Sequence, residues 1–212
     1  MKLYSFYRSS AAYRVRIALN LKALDFETIP VSLKADRSEQ HSAPYKELNP
    51  QGFVPTLVDD GESYTQSNAI IEYLEERYPD IPLLPETVAG RARVRAMAQL
   101  ITADIHPLNN LRVLNYLRDE LKQNQDNVDN WYRYWISKGF LALEDLVTNY
   151  GGDYSYGNTI TLADVCLIPQ IANANRLNTD LSAYPNLVRI NEALLQHPAF
   201  LAAAPEAQPD AE

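Results

Sequence analysis

Three short stretches early in the chain hold residue types that could do chemistry. The first is Arg8-Ser9-Ser10, two hydroxyls beside a guanidinium, just ahead of an apolar-periodic segment. Loops that lead into helix N-termini bind anions, because free N–H groups and the positive end of the helix dipole point there. Ser9 and Ser10 are good N-cap residues, and capping alone explains one of them. Two serines plus an arginine make a small polar nest fit for a thiolate or a carboxylate. The second stretch is Val54-Pro55-Thr56. Its proline is either a plain edge device at the start of a strand or part of a cis bond. The cis form would expose the Val54 N–H and C=O for strand-like pairing with a peptide. The third is Gln66-Ser67 at a helix start. The two residues serve as surface amide and cap, or together with helix N–H groups they capture a ligand carboxylate. The three together are what a peptide-like thiol ligand would need.

The elements that must position these residues change character along the chain. Lys2 to Phe6 is a strand, and Ala12 to Leu24 a helix with Val15, Ala18, Leu19 and Ala23 at helical spacing. Phe26 to Leu33 is a second strand, with Pro30 pointing to a sheet edge. Lys34 to Tyr45 is a polar loop with room for a short helix. Val54 to Val58 is a strand opened by proline, Asp59-Asp60-Gly61-Glu62 a turn, and Tyr64-Thr65 the returning strand. Ser67 caps a helix that carries Ile70, Ile71 and Leu74 and stops before Tyr78-Pro79. The order is β-α-β, a connection, then β-β-α, and the first two strands should be parallel. Pro79, Pro82 and Pro85 mark a boundary.

Beyond it the pattern is helical. The expected division is a domain over residues 1–80, a linker over 81–86 and an all-helical domain over 87–212. Val94, Met97, Ile101, Ile105 and Leu108 form one helix, kinked at Pro107 and continued by Leu111, Leu114 and Leu117. Tyr132 to Tyr150 is another helix. Thr161 opens a third with a capping box closed by Asp164. A last helix covers Leu187 to Leu195, and residues 203–212 read as a frayed tail.

Charge and composition narrow the classes. The chain carries 19 Lys+Arg against 27 Asp+Glu, a net charge of −8, which disfavours a general nucleic-acid binder. Yet through Leu24 there are five basic residues, Lys2, Arg8, Arg14, Arg16 and Lys22, and no acid. Arg14 and Arg16 read as a solvated helix face paired with acids elsewhere. Arg8, between strand and helix, stands apart from them. The single cysteine, Cys166, rules out an internal disulfide and suits a reducing compartment. It sits on an apolar helix, where an inert core thiol is expected. His41, His106 and His197 show no metal-ligand spacing. No apolar run approaches the roughly 18 residues of a membrane span. No signal-peptide core precedes Arg8. The expectation is a soluble, cytoplasmic protein.

The stretch Arg8-Ser9-Ser10-Ala11-Ala12-Tyr13-Arg14-Val15-Arg16-Ile17-Ala18-Leu19 resembles the signature of zeta-class glutathione transferases, the maleylacetoacetate isomerase family. That signature reads Ser-Ser-Cys-x-Trp-Arg-Val-Arg-Ile-Ala-Leu. Leu48-Asn49-Pro50 with Val54-Pro55-Thr56-Leu57, Gln66-Ser67 with Ala69 to Glu75, and Thr161-Leu162-Ala163-Asp164 also match, as do Pro169-Gln170 and Arg176. The resemblance implies a thioredoxin-like α/β domain followed by a helical-bundle domain, a homodimer, and glutathione as cofactor. It puts Ser9 and Ser10 at the glutathione sulfur, with Ser9 preferred, and Gln40 at the glycine end. Val54, before a cis Pro55, would pair with the cysteinyl group. Gln66 and Ser67 would hold the γ-glutamyl end. His106, Asn110 and Arg112 stand where the helical domain of the family approaches glutathione and substrate. Ala11 replaces the signature cysteine and Tyr13 the tryptophan. Glutathione supplies the sulfur in this family, so isomerisation does not need that cysteine.

The implied reaction is cis–trans isomerisation of a maleyl 1,3-dicarbonyl acid, maleylacetoacetate or maleylpyruvate. A thiolate adds to the activated alkene, the resulting single bond turns, and the thiolate leaves. Arg8 and Arg176 are the candidates for holding substrate carboxylate or enolate charge. The segment Asp104 to Asn110 looks like bacterial maleylpyruvate isomerases, yet Leu111 stands where those enzymes tend to carry arginine. The same thiolate would serve a transferase that conjugates glutathione or dehalogenates 2-halo acids. A non-catalytic glutathione binder is the third reading, and the Ser9, Ser10, Val54-Pro55 and Gln66-Ser67 set argues against it.

Overall fold

A computed structural model describes residues 1–212. They form two compact units, Met1–Pro82 together with Leu195–Glu212, and Leu83–Leu194. Leu195–Glu212 thus groups with the first unit, whereas the sequence pattern ran the helical domain on to residue 212.

In the first unit, β1 (Lys2–Ser5), β2 (Glu27–Pro30), β3 (Thr56–Asp59) and β4 (Glu62–Thr65) make a sheet of order β2-β1-β3-β4. β1 pairs parallel with β2, as the intervening helix α1 (Ser10–Leu21) requires, and antiparallel with β3. β3 and β4 form the expected hairpin, and Pro30 lies on an edge strand. Apolar residues set the layers. Leu3 and Leu57 are fully buried in the sheet, as are Val15, Ile17 and Leu19 on α1 and Ile70 and Leu74 on α3 (Ser67–Arg77). At the far end of α1, Lys22 makes a buried ion pair with Glu75 at 2.8 Å and also donates to the Tyr78 and Ile81 carbonyls. These extra acceptors offset the desolvation that makes a bare buried pair costly.

Two expectations change here. The face of α1 that carries Arg14 and Arg16 is not solvated, since their exposures are 1% and 0%. Nor is the end of the chain frayed. After α2 (Ala43–Leu48), α3 and the helices of the second unit, α10 (Pro198–Ala203) packs on α1. Gln208, itself buried, donates to the Ala202 and Ala204 carbonyls. The tail's prolines and acids look solvent-facing in sequence, but their partners are distant residues that periodicity does not reveal.

The second unit is helical: α4 (Val88–Gln99), α5 (His106–Leu108), α6 (Leu111–Asp119), α7 (Gln125–Tyr150), α8 (Leu162–Arg176) and α9 (Pro185–Leu194). The long helix expected through Pro107 is divided. Pro107 has no N–H and its ring crowds the carbonyl four residues back. A widened π turn, Leu100–Ile105, precedes it, with the His106 N–H reaching Ile101 O. Asn109 and Asn110 then end the run, and α6 starts anew with no buried residue. The π turn lies against α7 at Gly139, where a Cβ would overlap the Ile105 side chain. α8 is buried on nearly every side, Cys166 included, and it begins with the expected capping box.

Candidate active site

The turn from β1 into α1 places Arg8 in solvent, Ser9 half-buried and Ser10 buried. Ser9 is the N-cap, with φ −70° and ψ 113°, and its Oγ accepts from Ala12 N at 3.2 Å. Capping uses one lone pair and leaves the hydroxyl proton to donate outward. No acid occupies the first turn of α1, so that turn itself offers no carboxylate to the positive end of the dipole. This is the arrangement expected of a thiolate or carboxylate seat.

The Val54–Pro55 peptide is cis. The strand begins at Thr56, two residues later than expected, and the ladders end at the Tyr4–Thr56 and Thr56–Thr65 pairs. The Val54 N–H and C=O therefore lie beyond both ladders. The Val54 side chain is anchored in an apolar cluster with Val31 and Tyr45. On either side, Tyr45 Oη meets Phe53 O at 2.5 Å and Thr56 Oγ1 at 3.0 Å, and Asn49 Nδ2 donates to the same two atoms. Burial pushes the Tyr45 phenol up, so it stays a hydrogen-bonding neutral group. Tyr45 and Asn49 hold this bend, and sequence reasoning missed that role. The Leu48-Asn49-Pro50 match was its only signal.

Gln40 is buried on a 3-10 turn (Glu39–His41), and its Oε1 has no hydrogen-bond partner. A buried unpaired amide oxygen is costly unless a donor reaches it. Gly52, at φ +65°, brings the next loop against this turn, since a Cβ there would sit 2.9 Å from Gln40 O.

Gln66, not Ser67, is the N-cap position of α3. Its φ of 67° and ψ of 114° are unusual for a side-chain-bearing residue. Conformations of this kind cost on the order of 1–3 kcal/mol and cluster at ligand sites. Its amide donates to Gln51 Oε1 at 2.6 Å. Ser67 is the first helical residue, buried, and its Oγ accepts from Arg14 Nη1 at 3.3 Å. A hydroxyl that accepts from a guanidinium becomes a stronger donor itself. Arg14 therefore backs Ser67 from inside the core. Its signal in sequence is an arginine among α1's apolar positions, a pattern that by itself suggests surface charge.

The remaining candidates belong to the second unit. Arg176 is the last residue of α8 and exposed. Its guanidinium donates to Asn173 Oδ1 at 3.1 Å and Tyr132 Oη at 3.3 Å, and no carboxylate in the chain pairs with it. Its charge is therefore not spent on a salt bridge. His106 follows the π turn, and Asn110 caps α6 by accepting from Arg112 N at 3.1 Å. Two bonds to α7 hold this junction, Trp131 Nε1 to Leu108 O and Asn109 Nδ2 to Tyr132 O. The structure thus groups Arg8, Ser9, Ser10, Gln40, Val54, Gln66 and Ser67 in one unit, and His106, Asn110, Arg112 and Arg176 in the other.

Comparison with known proteins identifies the family. Residues 3–82 match the family model of the glutathione S-transferase N-terminal domain, and residues 105–202 that of the C-terminal domain. A probable maleylacetoacetate isomerase of Vibrio cholerae is 50% identical over 209 residues, 99% of this chain and 97% of its own. A bacterial maleylpyruvate isomerase solved in its holo form, a zeta-class glutathione S-transferase, superposes with a TM-score of 0.97 at 45% identity, covering 100% of both chains. A maleylacetoacetate isomerase of Methylobacterium extorquens AM1, solved with bound malonate and glutathione, gives 0.95 at 39% identity over 100% of both chains. With a four-stranded mixed sheet, a cis Val54–Pro55 peptide and helices α4 to α9, the chain belongs to the glutathione S-transferase family, in the zeta-class branch that holds the maleylacetoacetate and maleylpyruvate isomerases.

Proposed function

We propose that the chain is a glutathione-dependent cis–trans isomerase of a small maleyl 1,3-dicarbonyl acid, cytoplasmic and homodimeric. The observation that carries this reading is the start of α1, where the N-cap Ser9 keeps its hydroxyl proton beside Arg8 and the first turn holds no acid. The other residues fit a γ-glutamyl tripeptide. Gln40 offers a buried, unpaired amide oxygen, Val54 a peptide unit beyond the ladders, and Gln66 and Ser67 a helix start backed by Arg14. When bound, glutathione supplies the thiolate that adds to the activated alkene and leaves once the bond has turned.

The chain's own residues do the rest. A free thiol, with pKa about 8.5, is only a few per cent ionised at neutral pH. The Ser9 hydroxyl and the α1 dipole lower it by favouring the charged form, with Ser10 behind. The Val54 N–H and C=O hold the cysteinyl unit as an added strand would. Ser67 and the α3 amides hold a carboxylate. Arg8 and Arg176 are assigned to substrate carboxylate and developing negative charge. His106, Asn110 and Arg112 keep supporting roles toward glutathione and substrate, each open to replacement.

The test is a spectrophotometric assay of freshly made maleylacetoacetate and maleylpyruvate, each with and without glutathione, with fumaryl hydrolase reporting product. Turnover that depends on glutathione and leaves it unconsumed is expected, and the preferred acid identifies the substrate. Consumption of glutathione with no fumaryl product would instead make the chain a conjugating or dehalogenating transferase.

A further inference from the structure

The turn that presents Arg8 and Ser9 is gripped on both sides of one residue. The Tyr7 N–H donates to Asp210 Oδ2 at 3.0 Å, and the Tyr7 carbonyl accepts from Arg16 Nη2 at 3.1 Å. That carbonyl belongs to the peptide unit shared with Arg8. Arg16 spends its other donors on the same neighbourhood, Nη1 on Ser5 Oγ at 3.0 Å and Nε on Ala203 O at 2.9 Å. Its guanidinium thus ties together the end of β1, the turn and α10. The segment after α10 returns to the turn because Gln208 holds it to the Ala202 and Ala204 carbonyls. Inside the turn, only the Ser9 N–H to Phe6 O bond closes the loop by backbone alone.

We propose that Asp210 and Arg16 are positioning residues, which fix the Tyr7 peptides and so set where Arg8 and Ser9 meet the ligand. Neither touches glutathione in this reading, and the inference rests on the function proposed above. Electrostatics agree with the geometry. Burial lowers Arg16 to about 10, while Tyr13, Asp210 and Glu206 each act to raise it, so the Asp210 carboxylate counts among the few charges that answer a buried guanidinium. A turn held by its own backbone alone would be free to pivot about Tyr7. A shift of about 1 Å in a donor's position is enough to weaken catalysis strongly.

The experiment compares Asp210→Ala and Asp210→Asn with the parent, and uses Arg77→Ala as control, since Arg77 is an exposed cation that pairs with Asp60 rather than with the tail. Amide exchange of Tyr7 is read in the unliganded protein. Ionisation of bound glutathione is read by ultraviolet thiolate absorbance against pH, together with turnover. Asp210→Ala should speed Tyr7 exchange roughly tenfold, move the thiol titration to higher pH and lower turnover roughly three- to tenfold. Asp210→Asn keeps a carbonyl acceptor and should restore most of each change. Arg77→Ala should change none. If Asp210→Ala does not fold, Gln208→Ala loosens the same segment without touching Asp210 and should shift all three readouts the same way, less far. Unchanged Tyr7 exchange overturns the inference. So does an unchanged thiol titration against a parent whose bound thiol is clearly acidified. A parent that never acidifies the thiol breaks the proposed function instead, and leaves the exchange result to judge the clamp.

Discussion

Two helix starts in this molecule solve one electrostatic problem in opposite ways. At α8, the Asp164 carboxylate is fully buried and accepts from Ser155 N at 2.8 Å, Thr161 N at 2.8 Å and Thr161 Oγ1 at 3.1 Å. Burial pushes that carboxyl up, and the Ser155 and Thr161 hydrogen bonds pull against it. The positive end of α8 is closed by the chain's own anion. At α1 the cap is a neutral serine, the first turn has no acid, and Arg8 adds positive charge beside it. The start of α8 is thus a joint closed from within, and the start of α1 is the one proposed above as a seat for a ligand's anion.

Breaking each start should therefore have a different signature. Asp164→Ala leaves three buried donors without an acceptor, and should cost about 3 kcal/mol of stability. Chemical unfolding of the second unit would show it, while the acidity of bound glutathione in the folded fraction stays as in the parent. Ser9→Ala inverts this pattern. It should cost about 1 kcal/mol as a lost cap, yet lower turnover roughly ten- to a hundredfold and raise the bound thiol's pKa. A pH series of thiolate absorbance checks that, and an unmoved titration would transfer the role to Ser10. Ser67→Ala tests the third start, α3. Glutathione should bind roughly tenfold more weakly with turnover at saturation kept, as read by calorimetry and kinetics. Arg176→Ala should have the smallest effect, a several-fold higher KM for the diacid with unchanged glutathione affinity, because an exposed charge acts through screened solvent. Equal KM for the acid would remove Arg176 from the site.

The same contrast explains what was readable in advance. Thr161 and Asp164 lie three residues apart, so their mutual capping is local and appears in the sequence as it does in space. The parallel β1–β2 pair followed from strand, helix, strand order, and a serine cap at the start of α1 from residue type. Arg14 and Arg16 were misjudged because an arginine's burial depends on acceptors elsewhere. Those acceptors are Ser67 for one, and Ser5, Tyr7 and Ala203 for the other. Helical periodicity carries no information about them.

What the sequence by itself determined is the set of local devices: caps, turns, the alternation of strand and helix, and the signature that names the family. These depend on contacts within a few residues, where side-chain chemistry and backbone geometry are directly linked. Tertiary structure alone decided that Gln66 sits at positive φ with its amide on Gln51, that Arg14 and Arg16 are buried, and that Asp210 closes on Tyr7. Each of these depends on groups far apart along the chain. Their cost in strain or buried charge is met only once the packed unit brings the partners together.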